Sequence, residues 1–90
     1  MPRVILTLHV TSDFKKAFRK LPRNIQDLAI KKDRLFHQDA FASSLRTHKL
    51  KGHLEGYCAY SINLEYRVLF RFIKVDEVIY YDIGTHEIYR

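Results

Sequence analysis

The sequence holds one cysteine, three glycines and two prolines among 90 residues. A single cysteine, Cys58, excludes an intramolecular disulfide and every multi-cysteine zinc motif. Its neighbours Tyr57, Ala59 and Tyr60 offer nothing that would lower its pKa, so it reads as a packed strand thiol rather than a nucleophile. The longest N-terminal apolar stretch, Val4 to Leu8, is too short for the core of a secretion signal. Nothing approaches the roughly twenty apolar residues that a membrane span needs. No membrane contact is expected, and the expected location is the cytoplasm. Internal repeats, low-complexity tracts and Gly/Ser linkers are also missing. The chain therefore reads as one domain over residues 1–90, with one modest core.

What is present is an ordinary apolar fraction of 47%, with six tyrosines and six phenylalanines, which excludes disorder. The net charge of +6 arises from sixteen Lys and Arg against ten Asp and Glu. Such an excess favours polyanions, because each neutralised phosphate releases condensed counterions. Many small proteins are basic without binding nucleic acid, so charge alone does not decide whether the chain contacts nucleic acid or an acidic protein.

Val4 to Val10 is rich in β-branched residues and leucine and reads as a strand. Ser12 or Asp13 can cap the helix after it. Phe14, Ala17, Phe18 and Leu21 recur at the spacing of one buried helical stripe. Pro22 breaks that helix and suits the first turn of another, over which Ile25, Leu28, Ala29, Leu35 and Phe36 continue the period. From His37 to Thr47 the periodicity fades, which predicts a loop with some helical turn. Beyond it the period is two. Cys58, Tyr60 and Ile62 alternate with Tyr57, Ala59 and Ser61, and Val68, Phe70 and Phe72 alternate with Arg67, Leu69 and Arg71. Val78 to Ile83 forms a further strand, and the short connections predict an antiparallel meander. A short strand near Lys49 to Lys51 can precede it. The predicted fold is α+β, in the order β-α-α-β-β-β, with both helices on one face of a small antiparallel sheet. Ser61, Asn63, Arg67 and Arg71 are expected on the opposite, polar face.

The chemistry-bearing residues gather in the second half: the run from Arg46 through Thr47, His48, Lys49 and Lys51 to His53, then Glu65 and Arg67, then His86 and Tyr89. Histidine suits proton transfer near neutrality, and the planar fork of arginine suits two phosphate oxygens. A base, an acid and a cation are what RNA needs to cleave itself through its own 2′-hydroxyl, with no metal or cofactor. Each feature also has a plainer reading. A lone histidine is usually structural, and His9 and His37 are read so. His48 and His53 lack zinc-site spacing, and Glu65 with Arg67 can be an ordinary exposed ion pair.

Four segments occur in a familiar order: His48-Lys49-Leu50-Lys51-Gly52, Glu55-Gly56-Tyr57, Tyr66-Arg67-Val68-Leu69-Phe70, and Gly84-Thr85-His86-Glu87-Ile88-Tyr89. With the helical hairpin broken at Leu21-Pro22, nearly the whole chain resembles the RelE/ParE toxin superfamily, most of all its YafQ-like branch. The resemblance implies the toxin of a type II toxin–antitoxin system, an endoribonuclease acting on mRNA at the ribosome. It implies an antitoxin partner, with DNA met only through that antitoxin. Carried onto this sequence, it implies catalytic roles for His48, Glu65, Arg67 and His86. Arg46, Lys49, Lys51, Ser61 and Tyr89 would bind substrate. Ser61 stands where YafQ-like toxins usually carry a further histidine, and Tyr89 is shifted in register from their tail aromatic. ParE-like gyrase inhibitors share the implied fold and remain the alternative, as does a binding module whose activity has decayed.

Overall fold

Thr11, rather than Ser12 or Asp13, opens the first helix. Its hydroxyl donates to the carbonyl of Tyr81 at 2.9 Å and accepts the amide of Phe14 at 3.0 Å. A residue already held in extended conformation by the sheet thereby becomes the N-cap. The computed structural model describes all residues, Met1–Arg90. Helix α1 spans Ser12–Arg19 and α2 spans Arg23–Gln38, joined tightly at Leu21-Pro22. Pro22 takes the N-cap of α2, where a missing N–H leaves no hydrogen bond unmade. The segment after α2 contains one 3₁₀ turn, Ser43–Leu45.

The strands are β1 (Thr7–Val10), β2 (His48–Lys49), β3 (Cys58–Ser61), β4 (Arg67–Lys74) and β5 (Glu77–Gly84), in the spatial order β1-β5-β4-β3-β2. The predicted meander is β3-β4-β5, with the short β2 antiparallel at its edge. The sheet is mixed rather than wholly antiparallel, because β1 runs parallel to β5, Thr7 opposite Glu77 and Val10 opposite Tyr80. Alternation of side chains sets which face a strand buries but carries no sign of its direction.

Both helices lie on one face of the sheet. Phe14, Phe18 and Leu28 pack, partly buried, on a core that contains Ile62 and Phe70. Phe36 is its centre: its ring stacks on Tyr60 at 4.8 Å and meets the edges of Phe70 at 4.9 Å and Tyr80 at 5.7 Å. Truncating a buried phenylalanine to alanine typically costs about 3–5 kcal/mol. A register shift between Leu69 and Phe70 leaves Tyr81 unpaired, opposite no residue of β4. The bulge lets Tyr80 and Ile83, three residues apart, both reach the core.

The opposite face is less open than the period-two pattern implied. The C-terminal residues His86–Tyr89 form a 3₁₀ turn that packs back on β4 and β5. Ala59, Leu69 and Ile88 are buried outside the helix-side core, and Ser61 keeps only 8% of its surface exposed. Arg67 is half-buried and Arg71 exposed. The two histidines read as structural do acquire partners. His9 Nε2 lies 2.7 Å from Glu77 Oε2, and His37 Nδ1 donates to the carbonyl of Ile5 at 3.1 Å.

Candidate functional site

The β3–β4 connection is built around Asn63. Its Oδ1 accepts the amides of Glu65 at 2.9 Å and Tyr66 at 2.8 Å, a side chain standing in for a backbone turn. Arg67, the first residue of β4, donates Nη1 to the carbonyl of Asn63 at 2.8 Å. The guanidinium is thus clamped over its own turn, with donors left over for an anion. Across the sheet Arg67 stands between Ser61 and Gly84. The tail begins directly after Gly84, and a Cβ there would meet Ile88 Cγ2 at 3.1 Å, so glycine lets the tail close on the strand.

The tail brings Tyr89 beside Arg67. Burial pushes the Tyr89 phenol up, and the positive charge of the Arg67 guanidinium beside it partly offsets the shift. The phenol therefore stays protonated at neutral pH. The ring of His86 lies 6.0 Å from that of Tyr89, and His86 is exposed. His53, in the 3₁₀ turn Gly52–Leu54, donates Nε2 to the carbonyl of Tyr89 at 2.9 Å and pins the tail from the other side.

His48 faces the same side of the sheet. It pairs with Ala59, which pairs with Leu69, and directly opposed residues share a face. Two strand spacings across and two residues along separate it from Arg67, roughly 12 Å between Cα atoms. His48 Nδ1 lies 2.9 Å from the carbonyl oxygen of Arg46. A carbonyl only accepts, so Nδ1 holds the proton and a neutral ring keeps the Nε2 lone pair free. Arg46 adopts a left-handed conformation (φ 52°), the one non-glycine residue to do so, and this turns its carbonyl toward the ring.

Other residues fall elsewhere. Lys49 pairs with Cys58 on the helix side, away from His48. Burial raises the Cys58 thiol, only partly offset by Lys49, so it is a poor nucleophile. Lys51 lies beyond β2, toward the end of the sheet remote from Arg67. Glu65 is exposed on the Asn63 turn and forms no salt bridge with Arg67. Ser61 lies next to Arg67 but is nearly closed off. No three His, Cys, Asp or Glu side chains converge in a set that would hold a metal ion. The roles of Asn63 and His53 were missed from sequence. An Asn three residues before Tyr66 is a readable turn signal, whereas nothing local marks His53 as the tail's anchor.

The sequence matches no protein-family model and no curated protein. Solved structures do match. The toxin–antitoxin complex RelBE2 of Mycobacterium tuberculosis superposes with a TM-score of 0.76 at 18% identity, over 92% of this chain and 93% of that one. A YoeB/ParE toxin of Agrobacterium tumefaciens gives 0.74 at 18% identity, over 90% and 99%. The DinJ–YafQ toxin–antitoxin complex of E. coli gives 0.71 at 12% identity, over 94% and 97%. With both chains covered almost end to end, helices and mixed sheet included, this chain has the RelE/ParE toxin fold.

Proposed function

We propose that the protein is the toxin of a type II toxin–antitoxin pair and cleaves mRNA without a metal. The observation that carries the reading is the shared face: His48 and Arg67 project from one side of the sheet, over which the tail brings His86 and Tyr89. In the reaction His48 Nε2 takes the proton of a ribose 2′-hydroxyl. That oxygen attacks the adjacent phosphorus, the bond to the 5′-oxygen breaks, and His86 protonates the departing oxygen. Arg67 stabilises the charge that builds on the phosphate. Tyr89, still protonated, donates beside it. Glu65, exposed on the Asn63 turn just before Arg67, orients the attacking ribose. Products carry a 2′,3′-cyclic phosphate and a 5′-hydroxyl. The fold neighbours solved as RelBE2 and DinJ–YafQ complexes support an antitoxin as the resting partner, and the net charge of +6 supports an RNA substrate, met on the ribosome.

The test is cleavage of a defined mRNA, with and without ribosomes, followed by mapping of 5′ ends. His48→Ala, His86→Ala and Arg67→Ala should each lower the rate by about 10²–10⁴ while the far-ultraviolet circular dichroism spectrum stays unchanged. EDTA should have no effect. Full activity of the double variant His48→Ala/His86→Ala would overturn the mechanism. Uncut mRNA with gyrase-dependent DNA breaks would replace the nuclease by the gyrase-inhibitor reading.

A further inference from the structure

At the end of β4 remote from Arg67 lies a groove of about 770 Å³. Arg3, Lys49, Lys51 and Lys74 line it, against one acid, Glu55. None of the three lysines has a carboxylate partner, since the only ion pairs in the molecule are His9–Glu77, Arg23–Asp27 and His37–Asp33. Phe41 and Phe72 line the same groove, stacked at 5.8 Å and 17°, and Phe41 keeps 49% of its surface exposed. The Arg3 guanidinium lies 5.3 Å from the Phe41 centroid and 4.9 Å from that of Phe72, held by a hydrogen bond to the carbonyl of Val75. Asp39 Oδ1 accepts the amides of both Arg3 and Phe41, which sets the two side by side. The result is a π surface ringed by cations without carboxylate partners.

We propose that this groove binds single-stranded nucleic acid, a base stacking on Phe41 and the phosphates running past Lys49, Lys51 and Lys74. Stacking on an aromatic face combined with a cationic track is how sequence-tolerant single-strand binding works. A duplex keeps its bases stacked inside and could use only the lysines. An acidic peptide would satisfy the lysines but gives no use for the exposed Phe41 ring held against Arg3 and Phe72. Along β4 from the groove, Arg71 lies over the ring of Tyr57 at 5.7 Å, and Tyr57 also lines the groove. Those two continue the cation-and-ring pattern toward Arg67. That the strand is RNA rather than DNA rests on the proposed function; the groove itself does not.

The test uses the full chain and a short labelled 2′-O-methyl oligoadenylate, which cannot be cleaved, so that binding is read apart from catalysis. Fluorescence anisotropy across a salt series should show a log–log slope that falls by about 2 in Lys49→Ala/Lys51→Ala/Lys74→Ala, three contacts at roughly 0.7 each. Phe41→Ala should weaken binding about 5- to 100-fold, and Phe41→Tyr should restore it. Single-stranded DNA of the same sequence should show both dependences, and duplex RNA only the first. Oligonucleotide binding that ignores both the lysine and the Phe41 variants would overturn the proposal. So would lysine-dependent capture of polyglutamate with no oligonucleotide bound. An mRNA-cleavage assay that failed would leave these binding results standing.

Discussion

Tyr80 donates its phenolic proton to Asp33 Oδ1 at 2.8 Å, so the 2.9 Å contact with Tyr60 has Tyr60 as donor. Burial raises both phenols well above their ordinary range, which keeps these protons in place. The direction makes the two substitutions unequal. Tyr60→Phe removes one donor to Tyr80 and should cost about 1 kcal/mol. Tyr80→Phe leaves the buried Tyr60 hydroxyl without an acceptor and should cost about 2–3 kcal/mol. Urea denaturation of both variants checks the order, and equal losses would refute the assigned direction. Asp82 is a second residue with a defined sign. Burial raises its carboxyl, opposed by the amide of Ile83 and aided by Asp13. A raised folded-state pKa gives stability that is full below the unfolded value, about 4, and is lost as pH rises through the folded value. Asp82→Asn keeps an acceptor for Ile83, so its stability relative to the parent should grow from about pH 3 to pH 7. A flat difference would show that Asp82 titrates as it does unfolded. At this scale the adjacency of His48 and Lys49 in sequence does not put them on one surface, since neighbours on a strand point to opposite faces.

Among the elements, the two helices and the meander follow from their periods of 3.6 and 2, as Phe14, Phe18, Val68 and Phe70 show. The tail does not. Ile88 is a single apolar residue in a four-residue turn, too short for any period to declare its burial. Its closure over the sheet depends on Gly84 beneath it and His53 beside it, 31 residues apart in sequence. Gly84→Ala would force Ile88 to yield by a few tenths of an ångström and should cost about 1–3 kcal/mol if the strand cannot shift. His53→Ala should leave global stability within about 1 kcal/mol of the parent but loosen the last four residues. Amide exchange at Ile88 and Tyr89 reads this directly. In the nuclease reading both variants displace His86 and Tyr89, so RNA cleavage should fall in each. Unchanged exchange in His53→Ala would mean that Ile88 alone seats the tail.

For the whole molecule, β1 is both an edge of the sheet and part of its closure. It covers β5, and Ile5 just before it is buried in the core. Deleting residues 1–10 would bare the eight-residue β5 as an open edge and remove Ile5 and Leu8 from the helix–sheet interface. Such an edge templates pairing with other chains. The truncated protein should lose its cooperative thermal transition and elute as dimers or larger species, whereas a monomer with an intact transition would show β1 to be dispensable. The amino-acid pattern alone determined the two helices, the meander, the buried stripe and the excess of positive charge, because these follow from local spacing and from counts. Motif order alone pointed to His48, Arg67 and His86. Only the tertiary structure decided that β1 runs parallel to β5, that Lys49 and Lys51 leave the Arg67 site for a groove with Phe41, and that the tail packs back on β4 and β5. Each of these depends on which distant segments lie side by side, a choice made by packing across the sheet and unmarked in any stretch of neighbouring residues.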